Sequence, residues 1–130
     1  MSSTAYTSEA KGIPSSKEEF VSHVSKIAVE LYSRTKILPS VIIAQCILES
    51  GAGLGADAIE LTKRNNILGM KSDLINSSWS TFSVWSGESY RKPTPEEYTK
   101  GVITTVYDNF RVYKNYRECI TDYEMFLLNV

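Results

Sequence analysis

Several features that would mark common protein classes are scarce in this chain of 130 residues. It has two cysteines, Cys46 and Cys119, and one histidine, His23, which are too few and too widely spaced for a disulfide framework or a metal site. No apolar run reaches the ~20 residues that a membrane span needs, and no charged-then-apolar leader opens the sequence. We therefore expect no metal, no cofactor, no membrane insertion and no standard export signal.

The chain also has no large excess of charge of either sign. Fourteen basic and fifteen acidic residues give a net charge of -1, and the basic residues are scattered along the chain. A nucleic-acid surface needs a basic stripe or patch, so we expect no nucleic-acid partner. The 42% hydrophobic and 22% charged residues are typical of a globular protein whose length allows a proper core. We expect one domain and a monomer.

The N-terminal part predicts a flexible segment followed by a helix. Residues 1–14 are rich in Ser, Thr, Gly and Ala and have no periodic apolar residue, so the folded domain is predicted over 15–130. Ser16 and Glu19 have the spacing of a capping box. Apolar residues then recur at helical spacing, which predicts a helix over 16–35.

The most apolar stretch of the chain is residues 38–50. Pro39 suits a first helical turn, and Gly51 suits the left-handed position just past a helix end. Residues 41–48 are apolar on every face except at Gln45, which predicts a helix enclosed by the core. A very short connection should pair it with the preceding helix as an αα-hairpin.

Glu49 is the one full charge on this apolar helix. Burial and the negative end of the helix dipole both favour the protonated form of a carboxyl group placed there. Such a group can donate a proton near neutral pH, which makes Glu49 our candidate catalytic acid. The alternative is that the helix ends at the surface and Glu49 simply reaches water, as most glutamates do.

The second half of the chain predicts a small β-lobe and a last helix. Residues 77–90 are rich in aromatic β-formers, and short strands are predicted over 102–107 and 110–113 with a turn between them. The prolines of segment 92–101 favour an edge or a loop there. Asn115 is a good N-cap for the final helix. Helices, a β-lobe and a helix without βαβ alternation predict an α+β fold.

Hydrolysis of a glycosidic bond needs a protonated acid and usually a second carboxylate on the other side of the bond. A groove between a helical lobe with an acid and a β-lobe suits an extended polymer better than a small metabolite. The candidates for the second carboxylate lie in the β-lobe: Glu88, Glu96 and Glu97, with Asp73 and Asp108 less well placed.

Five motifs in order then resemble one family. Residues 38–55, LPSVIIAQCILESGAGLG, resemble the signature of the bacterial and phage glucosaminidase domain, glycoside hydrolase family 73. The resemblance covers about residues 16–128. The other four motifs are Asn65-Asn66-Ile-Leu-Gly69-Met-Lys71, Glu97-Tyr98-Thr-Lys-Gly101, Phe110-Arg111-Val-Tyr113, and Asp122-Tyr123 with Phe126-Leu127.

This resemblance implies a lysozyme-like α+β fold, with a helical lobe and a small β-lobe flanking a glycan-binding groove. It implies an endo-β-N-acetylglucosaminidase that cleaves the β-1,4 bond following N-acetylglucosamine in bacterial peptidoglycan. The family's catalytic acid corresponds to Glu49 and its second acidic residue to Glu97. Glu96 is the alternative, because adjacent residues of a strand point to opposite faces. We expect the β-lobe to close over the substrate.

The resemblance also suggests substrate contacts. Asn65, Asn66 and Lys71 match positions that shape the family's cleft, as structural or substrate-contacting residues, and Asn66 and Lys71 are predicted to contact the substrate. The aromatic residues Trp85, Tyr98 and Tyr113 are further predicted contacts.

Two departures from the family pattern leave alternatives open. Leu68 stands where the family often has Phe, and family members commonly continue past the last helix to a further tyrosine at the active site. Either Tyr107, Tyr113 or another aromatic replaces it, or the domain is a short variant or a truncated piece of weak activity. A non-catalytic glycan-binding or structural module and a muramidase therefore remain alternatives. In each case the expected place of action is the bacterial cell wall, in an extracellular, periplasmic or virion-associated setting.

Overall fold

The two long helices of the N-terminal half form the predicted αα-hairpin. The computed structural model describes residues 9–74 and 83–129, and within them α1 spans Lys17–Thr35 and α2 spans Pro39–Ser50. The Ser16 hydroxyl accepts a hydrogen bond from the Glu19 amide at 3.0 Å, which confirms the predicted cap. Lys36 adopts a left-handed conformation at the end of α1 and allows the chain to reverse.

The α2 helix buries only one side. Its buried residues, Ile42, Cys46 and Ser50, follow a four-residue spacing, whereas Val41 is 46% and Leu48 76% exposed. The prediction of a helix enclosed by the core is therefore wrong. The prediction rested on composition alone, and the apolar character of a residue does not show which elements pack against it.

A tight turn redirects the chain after α2. Gly51 has φ +59, and a Cβ on it would lie 2.8 Å from the Cα of Gly55, so a side chain does not fit there. A 3₁₀ turn over Ala56–Ala58 and helix α3 over Ile59–Lys63 follow.

The β-lobe is one long antiparallel hairpin. Strand β1 spans Ser89–Thr99 and pairs with β2, which spans Val102–Arg111. The predicted break at residues 108–109 is wrong, and of the two predicted alternatives for 92–101, an edge or a loop, the structure has the edge strand. In a sheet of two strands each strand is an edge, so Pro93 and Pro95 can pair with Tyr107 and Thr105 without leaving an inner ladder bond unmade.

The last helix completes an α+β fold. Helix α4 spans Tyr116–Leu128 and packs against α1. The Asn115 side chain caps it by accepting from the Glu118 amide at 2.9 Å, as predicted. The ring of Tyr116 meets that of Phe20 edge-on at 5.6 Å. The predicted β-forming residues Trp79 and Phe82 lie outside the described residues.

The segment before α1 is tied to the domain. The Ala10 carbonyl accepts from the Tyr116 amide, and the Gly12 amide donates to the Asn65 side chain at 2.7 Å. Ala10 and Pro14 are buried. The prediction that the flexible segment extends to residue 14 is therefore wrong for residues 10–14, because these backbone groups find partners in the domain.

Both cysteines are free and completely buried in the core. Burial raises the pKa of the Cys46 thiol, and it raises that of Cys119 to about 12. They behave as small apolar residues. No helix of the described part is long and apolar enough to cross a membrane.

Glu124 of α4 is a buried carboxylate with incomplete hydrogen bonding. It is 1% exposed; one oxygen accepts from the Thr35 hydroxyl at 2.6 Å, and Oε2 has no partner. Burial raises the pKa of this carboxyl group. Its contribution to stability is therefore greatest below the ordinary pKa of 4.5 and is lost as pH rises through the higher folded value.

We expect the difference in unfolding free energy between Glu124→Met and wild type to change in favour of the variant by about 1 kcal/mol from pH 5 to pH 8, because the variant has no buried charge to desolvate. Urea unfolding of both proteins at the two pH values measures this. A difference between variant and wild type that does not change with pH contradicts the prediction. Glu118→Met, at a partly exposed position on the same helix, is the control.

Candidate active site

Glu49 lies in the last turn of α2, at the wall of a groove between the helical lobe and the hairpin. A Cβ built on Gly69, whose φ is +66, would lie 3.5 Å from Glu49 Oε2, so the carboxylate stands beside the backbone of the Asn66–Lys71 loop. The groove has a volume of about 280 Å³. It is lined by Glu49, Asp57, Ala58, Leu61, Gly69, Lys92, Thr94 and Phe110, and we call it the Glu49 groove.

The Glu49 side chain is exposed, which corrects the prediction that it is buried. The reason is that α2 buries a different stripe and turns Glu49 toward the groove. In the free protein, water therefore reaches the carboxylate. A substrate seated in the groove would exclude that water.

The groove continues along β1. A second cavity of about 370 Å³ is lined by Asp57, Lys92, Pro93, Thr94 and Pro95, and three of these residues also line the Glu49 groove. Lys92 Nζ donates to the main-chain carbonyl of Asp57 at 2.8 Å and so joins the hairpin to the helical lobe. The two cavities therefore adjoin along β1.

Sequence reasoning missed Asp57, Lys92 and Thr94. The prolines left open whether the segment that presents Lys92 and Thr94 is an edge strand or a loop. The alternation of half-buried and exposed residues along β1, which places Lys92 and Thr94 on one side of the strand, is a property of the folded hairpin and is not marked by apolar residues in the sequence.

The two candidates for the second carboxylate differ in their place on β1. Glu96 pairs with Thr104 and shares the half-buried side of the strand with Lys92 and Thr94. Glu97 is exposed and lies where the register shifts, between Glu96 and Thr99. A bulge of this kind re-aims side chains, so strict alternation no longer fixes the direction of Glu97. Neither carboxylate is among the residues that line the Glu49 groove.

Asn66 supports the loop under the groove. It is 2% exposed; its amide nitrogen donates to the carbonyls of Met70 and Arg111, and its oxygen accepts from the Met70 amide, each at 2.9 Å. Asn65 similarly bonds the Tyr113 carbonyl at 2.8 Å. The prediction that Asn66 contacts substrate is corrected, because its polar atoms are used inside the protein.

Tyr113 is likewise an internal residue. It is 3% exposed, and its hydroxyl donates to Asp122 at 2.6 Å. Asp122 also forms a buried ion pair with Arg111 at 3.0 Å. This cluster fixes the end of β2 on α4, so Tyr113 is a structural residue and not the predicted substrate contact.

The other predicted contacts surround the base and the tip of the hairpin. Lys71 is about half exposed and pairs with Asp108 at 3.5 Å. The Trp85 ring stacks under the Arg111 guanidinium at 4.2 Å, and its ring nitrogen donates to the Glu88 carbonyl. Tyr98 is 72% exposed near the tip.

The remaining acidic candidates are spread over the surface. Asp73 and Glu88 are exposed. Tyr107, a predicted replacement for the family's further tyrosine, is also exposed and lies beside Arg91. Within residues 9–74 and 83–129, no three His, Cys, Asp or Glu side chains are arranged to hold a metal ion.

Comparison with known proteins identifies similar structures. The catalytic domain of the autolysin Auto from Listeria monocytogenes is 23% identical, with a TM-score of 0.66 over 95% of this chain and 63% of that one. A C-terminally truncated glycoside hydrolase domain of Salmonella typhimurium FlgJ is 26% identical (TM-score 0.59; 88% and 69%). A peptidoglycan hydrolase mutant from Sphingomonas sp. A1 is 23% identical (TM-score 0.60; 88% and 68%).

These similarities confirm the lysozyme-like α+β architecture, and the chain spans about two thirds of the length of each structure. No curated protein matches the sequence. The sequence model named Glucosaminidase, described as mannosyl-glycoprotein endo-beta-N-acetylglucosaminidase, matches residues 25–130, which is most of the chain. The protein therefore belongs to the glucosaminidase family of glycoside hydrolases, family 73.

Proposed function

We propose that this protein hydrolyses bacterial peptidoglycan at the β-1,4 bond following N-acetylglucosamine, with Glu49 as the general acid. The observation that carries the proposal is the position of Glu49 at the wall of a groove between two lobes. Family membership and the peptidoglycan-hydrolase and autolysin names of similar structures support the same substrate class. The site of action is then the cell wall.

The geometry suits a polymer. The Glu49 groove and the second cavity share Asp57, Lys92 and Thr94, so a glycan chain can extend along β1 on one side of the acid. Carboxylates and a lysine offer acceptors and donors to sugar hydroxyl and acetamido groups, and Leu61 and Phe110 offer an apolar wall.

The proposed chemistry begins with proton transfer from the Glu49 carboxyl group to the glycosidic oxygen, which leaves with the aglycone sugar. Positive charge develops at the anomeric carbon of the N-acetylglucosamine as that bond breaks. The oxygen of a water molecule bonds to the anomeric carbon, with Glu97 on the hairpin as the proposed second carboxylate that assists this step. The proton that the water gives up restores the Glu49 carboxyl group.

Mass spectrometry of the fragments released from purified peptidoglycan tests the bond that is cut. Fragments that end in reducing N-acetylglucosamine support the proposal. Fragments that end in reducing N-acetylmuramic acid identify a muramidase instead. The absence of fragments together with retained glycan binding identifies a non-catalytic module.

The second carboxylate is tested by matched substitutions. We expect Glu97→Gln to lower kcat about 100-fold and Glu96→Gln only a few-fold, since a positioned carboxylate contributes a factor of this order. The rate of reducing-end release measures both variants. The reverse order would assign the role to Glu96, which shares the groove side of β1 with Lys92 and Thr94.

A further inference from the structure

Among the described residues that line the Glu49 groove, Lys92 supplies the only cation. Its side chain is half-buried on β1, and its ammonium group lies 6.0 Å from the centroid of the Phe110 ring. One N–H bonds the main-chain carbonyl of Asp57 at 2.8 Å. A lysine ammonium has three N–H donors, so two remain available to a ligand in the groove.

The surroundings of Lys92 combine three kinds of group within about 280 Å³. Ala58, Leu61 and Phe110 supply apolar surface, the Asp57 carboxylate is an acceptor, and Lys92 is a donor. An acetamido group needs this combination: a donor for its carbonyl oxygen, an acceptor for its N–H and an apolar contact for its methyl group.

We propose that Lys92 is a specificity-determining residue that selects 2-acetamido sugars in this groove. The proposal rests on the function proposed above. Lys92 donates a hydrogen bond to the acetamido carbonyl while it keeps its bond to Asp57, and Ala58 and Leu61 contact the methyl group. A sugar that carries a free amine at the same position has no carbonyl oxygen to accept from Lys92 and no methyl group to contact Ala58 and Leu61.

The experiment compares Lys92→Met with wild type on two substrates: purified peptidoglycan, and the same peptidoglycan after enzymatic removal of its N-acetyl groups. Methionine keeps an unbranched chain beside Phe110 and removes the donors. Reducing-end release gives kcat/KM, and cosedimentation with the insoluble glycan gives Kd. We expect wild type to prefer the acetylated substrate by about tenfold or more, which is the order of one charged hydrogen bond.

For Lys92→Met we expect kcat/KM on acetylated peptidoglycan to fall about tenfold, mainly through KM. We also expect the preference for the acetylated over the deacetylated substrate to approach one, both in kcat/KM and in Kd. Arg91→Met is the matched control. Arg91 is the preceding residue of β1, on the other side of the strand, where its guanidinium lies 4.5 Å from the centroid of the Tyr107 ring. Arg91→Met removes one positive charge, as Lys92→Met does, and we expect it to keep the wild-type preference for the acetylated substrate.

Equal losses on both substrates would overturn the proposal, because they would show that Lys92 only ties the hairpin to Asp57. An unchanged preference in Lys92→Met would overturn it as well. Failure of the proposed function has a different signature: wild type releases no fragments from either substrate. In that case the Kd values on the two substrates still test the role of Lys92, since Lys92→Met must bring their ratio closer to one.

Discussion

Glu49→Gln should lower the rate of peptidoglycan hydrolysis by roughly 10²–10⁴-fold, the contribution expected of one general acid. Glutamine has nearly the shape of glutamate but holds no proton that it can transfer to the leaving oxygen. Because Glu49 is exposed at the end of α2, the change removes no core contact, and the melting temperature should stay within a few degrees of that of wild type. Turbidity loss of purified cell walls and reducing-end release measure the rate.

The substrate should still bind to this variant. A general acid acts on the bond being broken, so we expect the fall to appear in kcat while cosedimentation with peptidoglycan is preserved. Glu18→Gln, an exposed carboxylate in the first turn of α1, is the matched control and should lyse walls at the wild-type rate. A Glu49→Gln protein that lyses walls as fast as wild type would remove Glu49 from the role of acid.

The helical lobe could be predicted from the sequence because its signals are local. Ser16 and Asn115 cap the helices that they were predicted to cap, and Gly51 ends α2 in the left-handed conformation. Each of these features depends on residues a few positions apart. Such short-range hydrogen bonds and dihedral preferences can be read without knowing the fold.

The hairpin and the groove could not be predicted in the same way. Pro93 and Pro95 leave an edge strand and a loop equally open until it is known that the sheet has only two strands, so that each is an edge. Lys92 reaches Asp57 across 35 positions of sequence, a contact that no local pattern encodes. The exposure of Glu49 depends in turn on which side of α2 the other helices cover.

Asn66 and Tyr113 illustrate a further limit. A motif match shows that a residue type recurs at a position, but not whether it serves the substrate or the fold. Asn66 uses its side chain to bond three backbone groups, and Tyr113 bonds Asp122. Buried polar groups with their bonds made inside the protein hold the loops on which a site is built.

The buried ion pair of Arg111 and Asp122 should give the largest effect on stability. The side chains are 3% and 0% exposed, and Asp122 also accepts from the hydroxyls of Ser83 and Tyr113, each at 2.6 Å. Asp122→Ala leaves the guanidinium of Arg111 buried without this counter-charge. We expect it to lower the free energy of unfolding by about 3–5 kcal/mol, measured by urea unfolding.

The expected loss of stability comes from leaving a buried charge unpaired and not from the attraction within the pair. A second substitution separates these two effects. In Arg111→Met/Asp122→Ala the buried charge is gone, so the loss should be clearly smaller than the sum of the two single losses. Glu30→Ala breaks the partly exposed pair of Glu30 with Arg117 and should cost no more than about 1 kcal/mol. If Asp122→Ala cost as little as Glu30→Ala, the pair would not hold β2 on α4, and the hairpin that carries Lys92 and Glu97 would need another anchor.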